Sequence, residues 1–251
     1  MRFKVQEKLL AFLLTGAYSS GVWAGPPFVT DDPDPVNYQS WEINNAVVGT
    51  RVAGQTSAFA PQIDANYGIL PGVQLHFQPQ TAYFNAPGQH AWGLGDTELG
   101  LKYRLTPADA PEGSWEASLY PLVEVPTGDV SRNLGSGAWR EFFPLWVQTV
   151  RGRWTFYGGG GYWLNGGVFG QNAWQLGAVA LYQFTPKLQL GGELMTLTAT
   201  TVGGQSTRGF NVGGSYMLTE GYSLLFSLGQ GLINVSSTDQ SSFYLALQVT
   251  Y

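Results

Sequence analysis

The sequence predicts an all-β fold, a transmembrane antiparallel up-and-down β-barrel of about 12 strands, and three observations carry that prediction. From Trp41 onward, stretches of about ten residues alternate apolar and polar side chains, as strands do when one face meets lipid and the other a lumen. Charged residues make up only 12% of the chain, about half the usual quarter, whereas 34 Gly, 9 Trp, 13 Tyr and 14 Phe are abundant. Aromatic residues also gather at the ends of the stretches, where a membrane barrel carries its interfacial girdles.

The N-terminus reads as an address rather than a strand. Arg2, Lys4 and Lys8 precede the short apolar run LLAFLLTGAY, and Val22-Trp23-Ala24 suits a peptidase site, so residues 1–24 are read as a cleaved signal peptide. A membrane-spanning helix needs about 20 apolar residues, and no stretch of the chain supplies them. With no Cys, the sequence offers neither a disulfide framework, a lipoprotein thiol nor a Cys-based metal site. Removing residues 1–24 takes away three of 12 basic and one of 17 acidic residues, leaving a formal charge of −7 that argues against nucleic acid as a partner. Residues 25–39, GPPFVTDDPDPVNYQ, form a Pro-rich acidic arm with little capacity for helix. The arm is either a periplasmic tail or a lumen plug. As a plug, it would pair Asp31, Asp32 and Asp34 with bases such as Lys102 or Arg104.

The barrel is assigned to residues 40–251. Its strands are expected at 40–52, 57–67, 73–84, 95–105, 114–125, 139–151, 153–164, 174–184, 187–198, 208–218, 222–233 and 242–251. The first and sixth alternate less cleanly, and Pro144 in the sixth predicts a bulge or local irregularity there. Connections around 152, 186 and 220 are tight, while 85–94, 126–138, 165–173, 199–207 and 234–241 are longer and are read as outer loops. Short periplasmic turns and long outer loops are the usual arrangement of such barrels. The segment TPADAPEG, 106–113, is long for a periplasmic turn. The last strand ends SFYLALQVTY, with Phe243, Leu245, Leu247, Val249 and Tyr251 on one face.

Residues 95–105 supply an energetic argument. Asp96, Glu98, Lys102 and Arg104 share one face and Leu99, Leu101, Tyr103 and Leu105 the other. On the lipid side each base would cost about 2 to 4 kcal/mol at the bilayer midplane, so the charged face belongs in the lumen. Glu116, Ser118, Tyr120 and Glu124 fall on the same side of the next strand. Trp41, Tyr67, Tyr103, Trp115, Trp154, Tyr216, Tyr222 and Tyr251 mark the periplasmic ends, and Tyr83, Trp139, Trp174 and Phe243 the outer ends. That distribution favours a membrane barrel over a soluble sandwich, which would spread its Trp through a core.

Catalytic patterns are few. YGGGGYW (157–163) lacks the Gly-Lys-Ser/Thr ending of a phosphate loop, GLGDTELG (93–100) has no helix after it, and neither HExxH nor GxSxG occurs. Of the two histidines, His76 shares a lumen face with Gln74, Gln78 and Gln80, and His90 falls in an expected outer loop. No catalytic residue, metal ligand or cofactor is therefore assigned. The lumen-lining candidates are Asp64, His76, Asp96, Glu98, Lys102, Arg104, Glu116, Glu124 and Glu193, which either tune a passage or form a satisfied internal network.

Three stretches, PPFVTDDPDPVNYQSWE (26–42), GLGDTELGLKYRL (93–105) and VPTGDVSRNLGSGAW (125–139), resemble the outer-membrane transporter family associated with the meta-cleavage pathway of phenol degradation. The resemblance implies a bacterial outer-membrane barrel that passes small solutes, aromatic or other hydrophobic compounds among them. The partners expected are outer-membrane lipid and such a solute. A closed structural barrel is the alternative, and a membrane-embedded lipid-modifying enzyme is a third.

Overall fold

The computed structural model describes residues 27–111, 113–239 and 241–251, so the expected signal peptide lies outside the described residues. Fifteen β segments join in one antiparallel sheet. β1 (Trp41–Val52) pairs with β2 (Gln55–Leu70) on one side and with β15 (Ser241–Thr250) on the other, which closes the barrel. This seam runs from Glu42↔Thr250 to Arg51↔Ser241 without a register shift.

Twelve staves make the wall, because three of them are split in two. These are β3 (Val73–Gln78) with β4 (Gln80–Ala86), β5 (Gln89–Leu94) with β6 (Thr97–Arg104), and β7 (Trp115–Leu119) with β8 (Leu122–Val125). The others are β9 (Arg140–Arg151), β10 (Trp154–Asn165), β11 (Ala173–Thr185), β12 (Leu188–Leu197), β13 (Thr207–Thr219) and β14 (Tyr222–Ile233). Two of the three breaks contain a proline, Pro79 and Pro121, which has no N–H to give to a ladder.

One expectation is met in part and one is corrected. At Pro144 there is local irregularity but no bulge: the register of β9 with β10 is unbroken from Arg151↔Trp154 to Arg140↔Asn165, while its ladder to β7 and β8 is interrupted. The interruption falls instead on the facing stave, between β7 and β8, where the Tyr120 N–H donates to the Pro144 carbonyl at 3.2 Å. The N–H that Pro144 lacks would have pointed to that same side. The stretch 85–94 is not a loop: β4 and β5 form a hairpin around Pro87-Gly88, paired from Thr81↔Leu94 to Ala86↔Gln89. His90 therefore stands on a strand, exposed near the hairpin tip.

The outward face is apolar and the aromatic ends are exposed on it, among them Trp115, Trp154, Tyr222 and Tyr251 at one rim and Trp139 and Trp174 at the other. Inside, β10 passes through Gly158–Gly161. Gly159 and Gly160 have φ of +141° and +153°, and a Cβ on either would run into the carbonyl oxygen of Leu145 or Gln175 on a neighbouring strand. The run is a structural accommodation of tightly packed strands rather than a phosphate cradle.

Candidate functional site

Because side chains alternate, one parity of each strand faces the lumen, and what it holds follows from the register. The described part of the N-terminal arm, residues 27–39, lies inside this wall and is tied to strands around it. The Ser227 hydroxyl donates to the Pro27 carbonyl at 2.6 Å, and Phe28 packs with Tyr157, Val179 and Leu181. Glu193 accepts the Val29 N–H at 3.2 Å and the Thr30 N–H at 2.6 Å, and is itself held by Asn211. Thr30 fits against Gly177, where a Cβ would collide with its hydroxyl. Further along, the Val36 N–H donates to Gln74 Oε1 at 2.8 Å and the Gln39 N–H to the Gly68 carbonyl at 2.7 Å.

The three arm carboxylates meet the bases of β6. Lys102 Nζ, almost fully buried, is 3.2 Å from Asp31 Oδ1 and 3.9 Å from Asp32 Oδ1, and lies 4.8 Å from the Tyr120 ring centroid. Arg104 pairs with Asp34. A buried ammonium is tolerated only where charge partners and hydrogen bonds replace its water, and here the arm brings them.

A second cluster is centred on His76. Its Nδ1 is 3.1 Å from Asp64 Oδ1 and 3.0 Å from Asn66 Oδ1, and its Nε2 is 3.0 Å from Glu98 Oε1. Asn44 and Asn66 also donate to Asp64, at 3.1 and 2.7 Å. Toward the outer rim, Gln78, Glu98, Glu124, Arg140 and Asn165 stand in one cross-strand row. Arg140 Nη1 is 2.7 Å from Glu124 Oε2, its Nε donates to Asn165 Oδ1 at 2.7 Å, and its guanidinium lies over the Trp163 ring at 4.6 Å. Beside this row, Phe142 and Trp163 stack at 4.5 Å with an interplanar angle of 9°. Arm and wall together line an open cavity of about 390 Å³, bordered by Phe28 and Asp31, by Glu98 and Glu124, and by Tyr120, Trp146 and Trp163. It extends to Thr50 and Ser242 near the outer ends of β1 and β15.

Other sequence candidates lie apart from that cavity. Glu116, half-buried, faces Gln148 across β7 and β9. Asp96 sits at the break between β5 and β6 and turns to the outer loop: Oδ1 accepts the Gly128 N–H at 3.0 Å and Oδ2 the Ser136 N–H at 2.6 Å. Leu134 of the same loop is buried against Ala82, Phe84 and Ala91. Two stretches singled out in the sequence, 93–105 and 125–139, thus hold each other. Hydrogen bonds to a carboxylate are worth about 1.5 to 3 kcal/mol each. Asp96→Ala is expected to raise tryptic cleavage after Arg132 by at least about tenfold, one decade per 1.4 kcal/mol. An unchanged cleavage rate would assign the loop's order to Leu134 instead.

Sequence parity placed Tyr120 on the inward face but missed the other inward aromatics: Phe142, Trp146, Tyr157 and Trp163 are buried in the lumen with it. The signal was parity: Trp146 is two residues from Gln148, and Trp163 two from Gly161. Arg140 and the arm-binding Ser227 were missed as well, and Gln74 was placed in the lumen without its arm partner. Among the described residues no group of three or more His, Asp or Glu is arranged to hold a metal ion.

Comparison with known proteins agrees with the architecture. Residues 33–244 match the model of a family described as "Putative MetA-pathway of phenol degradation". An outer-membrane channel from Pseudomonas putida F1 superposes with a TM-score of 0.67 at 15% identity, over 90% of this chain and 99% of that one. The NanC porin superposes with a TM-score of 0.56 at 9% identity, over 84% of this chain and 98% of the other. None of the curated proteins matches the sequence. At such identities the likeness is one of fold: a closed 12-stranded outer-membrane barrel.

Proposed function

The chain belongs to this MetA-pathway family of phenol degradation, and from that premise we propose that it is an outer-membrane channel. It carries small solutes, aromatic or hydrophobic compounds among them, through the lumen, after export by a cleaved signal peptide. Residues 25–39 act as a plug that narrows the route. The observation that carries the reading is the arm itself: residues 27–39 run inside the barrel, bonded to Ser227, Glu193, Lys102, Arg104 and Gln74, beside a cavity of small-molecule size.

Carboxylates outnumber bases on the inward faces and on the arm, so whatever current passes is expected to be carried mainly by cations. Reversal potentials in a planar bilayer under a potassium chloride gradient test this. A cation-selective potential that falls toward zero in the Glu98→Gln and Glu124→Gln double variant supports the reading. Anion selectivity would remove it. A closed structural barrel is favoured by the same plug, and silence from folded protein both with and without the arm would select that alternative.

A further inference from the structure

We propose that the cavity beside the arm is a binding site selective for organic ammonium compounds, small molecules with a positively charged nitrogen on a flat or apolar carbon body. The proposal deepens the channel reading by naming the class that the lumen prefers, and it rests on that reading only for placing the site on the solute's route.

The first support is a like-charge pair. Glu98 and Glu124 are direct cross-strand partners on β6 and β8, an arrangement that is destabilising when nothing offsets it. Each has its base on the side away from the other: His76 on β3 at 3.0 Å from Glu98, and Arg140 on β9 at 2.7 Å from Glu124. A cation seated between the two carboxylates offsets both.

The second support is local charge. Asp31 also borders the cavity and is paired with Lys102, which Asp32 approaches too, while Asp64 shares His76 with Glu98. Even with His76 counted as a cation, five carboxylates meet three bases in this group. In a wall of low dielectric, that excess favours a ligand of positive charge and opposes an anion.

The third support is Trp146, which is 2% exposed, borders the same cavity and leaves its Nε1 donor without a protein partner. Its ring offers an aromatic surface to an ammonium group or to an apolar body, and its N–H suits an acceptor atom on that body. The wall thus offers carboxylates and aromatic rings together. A bare metal ion would use only the carboxylates; a neutral hydrocarbon would use only the rings.

The test is a titration of tryptophan fluorescence in the refolded full chain, in detergent micelles at neutral pH, with three probes of one shape: phenethylamine, phenethyl alcohol and phenylacetate. The amine is expected to bind at least about tenfold more tightly than the alcohol, with phenylacetate weakest. Glu98→Gln and Glu124→Gln should each lower amine affinity toward that of the alcohol without changing alcohol binding, and Trp146→Phe should weaken amine and alcohol together. Heat-modifiable gel migration reports that each variant is folded. Equal affinity of amine and alcohol overturns the proposal, as does an amine preference that survives the double glutamine variant. Bilayer current from the same preparations separates the two readings. Current without amine preference leaves the channel and removes the site; amine preference without current, with or without the arm, keeps the site and removes the channel.

Discussion

Deleting residues 25–39 is expected to raise single-channel conductance severalfold. Eight-stranded barrels are filled by their own side chains and barrels of 16 strands hold a water channel, so a 12-stranded lumen lies where one extended segment decides the outcome. Here that segment carries Phe28, Thr30 and Asp32, all buried by the wall. The barrel has its own means of persisting without the arm, since the seam between β1 and β15 begins at Glu42 and its ladder uses no arm residue. After deletion, Lys102 and Arg104 lose Asp31, Asp32 and Asp34 and gain water, which replaces their ion pairs at little cost. Unchanged conductance from folded protein would show that the obstruction, if any, is elsewhere.

Gly177→Val is expected to open the pore as the deletion does, with no charge altered. A Cβ at position 177 would meet the Thr30 hydroxyl and side chain, and no other neighbouring atoms stand closer to it. Of the two parties the arm yields more readily, because β11 is fixed by ladders to β10 and β12 whereas the arm has no continuous ladder of its own. Displacing Thr30 also pulls its N–H from Glu193 and strains the neighbouring bond from Val29. The informative comparison is the double variant. If valine acts by expelling the arm, it should add nothing in protein already lacking residues 25–39. A further change there would mean that the substitution alters the wall itself.

Most of the wall was legible because each strand states its parity in the sequence. The last strand is an example: Phe243, Leu245 and Leu247 are exposed outward while Ala246 and Gln248 are buried inward, as alternation requires. Alternation is blind to which partner a strand has, so it could not say that Glu98 would stand opposite Glu124, or that Pro144 would interrupt its neighbour and not itself. Alternation also treats an inward tryptophan as an anomaly, which is why Trp146 and Trp163 went unread. At 85–94 the Pro-Gly pair was taken as loop punctuation, although between short apolar runs it makes a hairpin. Inward parity identified Lys102, Arg104 and Glu193, but their partners lie about 70 residues away in sequence for the two bases and 163 for the Glu193–Thr30 bond. The acidic arm made Asp31, Asp32 and Asp34 candidate partners for Lys102 and Arg104 if it entered the lumen, but which contacts form at that separation depends on three-dimensional closure, and nothing local pointed Glu193 to Thr30.

The placement of the arm also sets an order of events during assembly. Residues 27–39 precede the first strand, yet the groups that receive their inner end, Glu193, Asn211 and Ser227, belong to β12, β13 and β14, near the other end of the chain. The arm's binding surface therefore does not exist until nearly the whole polypeptide has been made and its late strands have paired. Pairings between such distant segments form slowly, since loop closure must precede the contacts that reward it. Docking of the arm is in this sense a record of completed assembly, written by a segment ahead of the first strand only after the last strands have arrived.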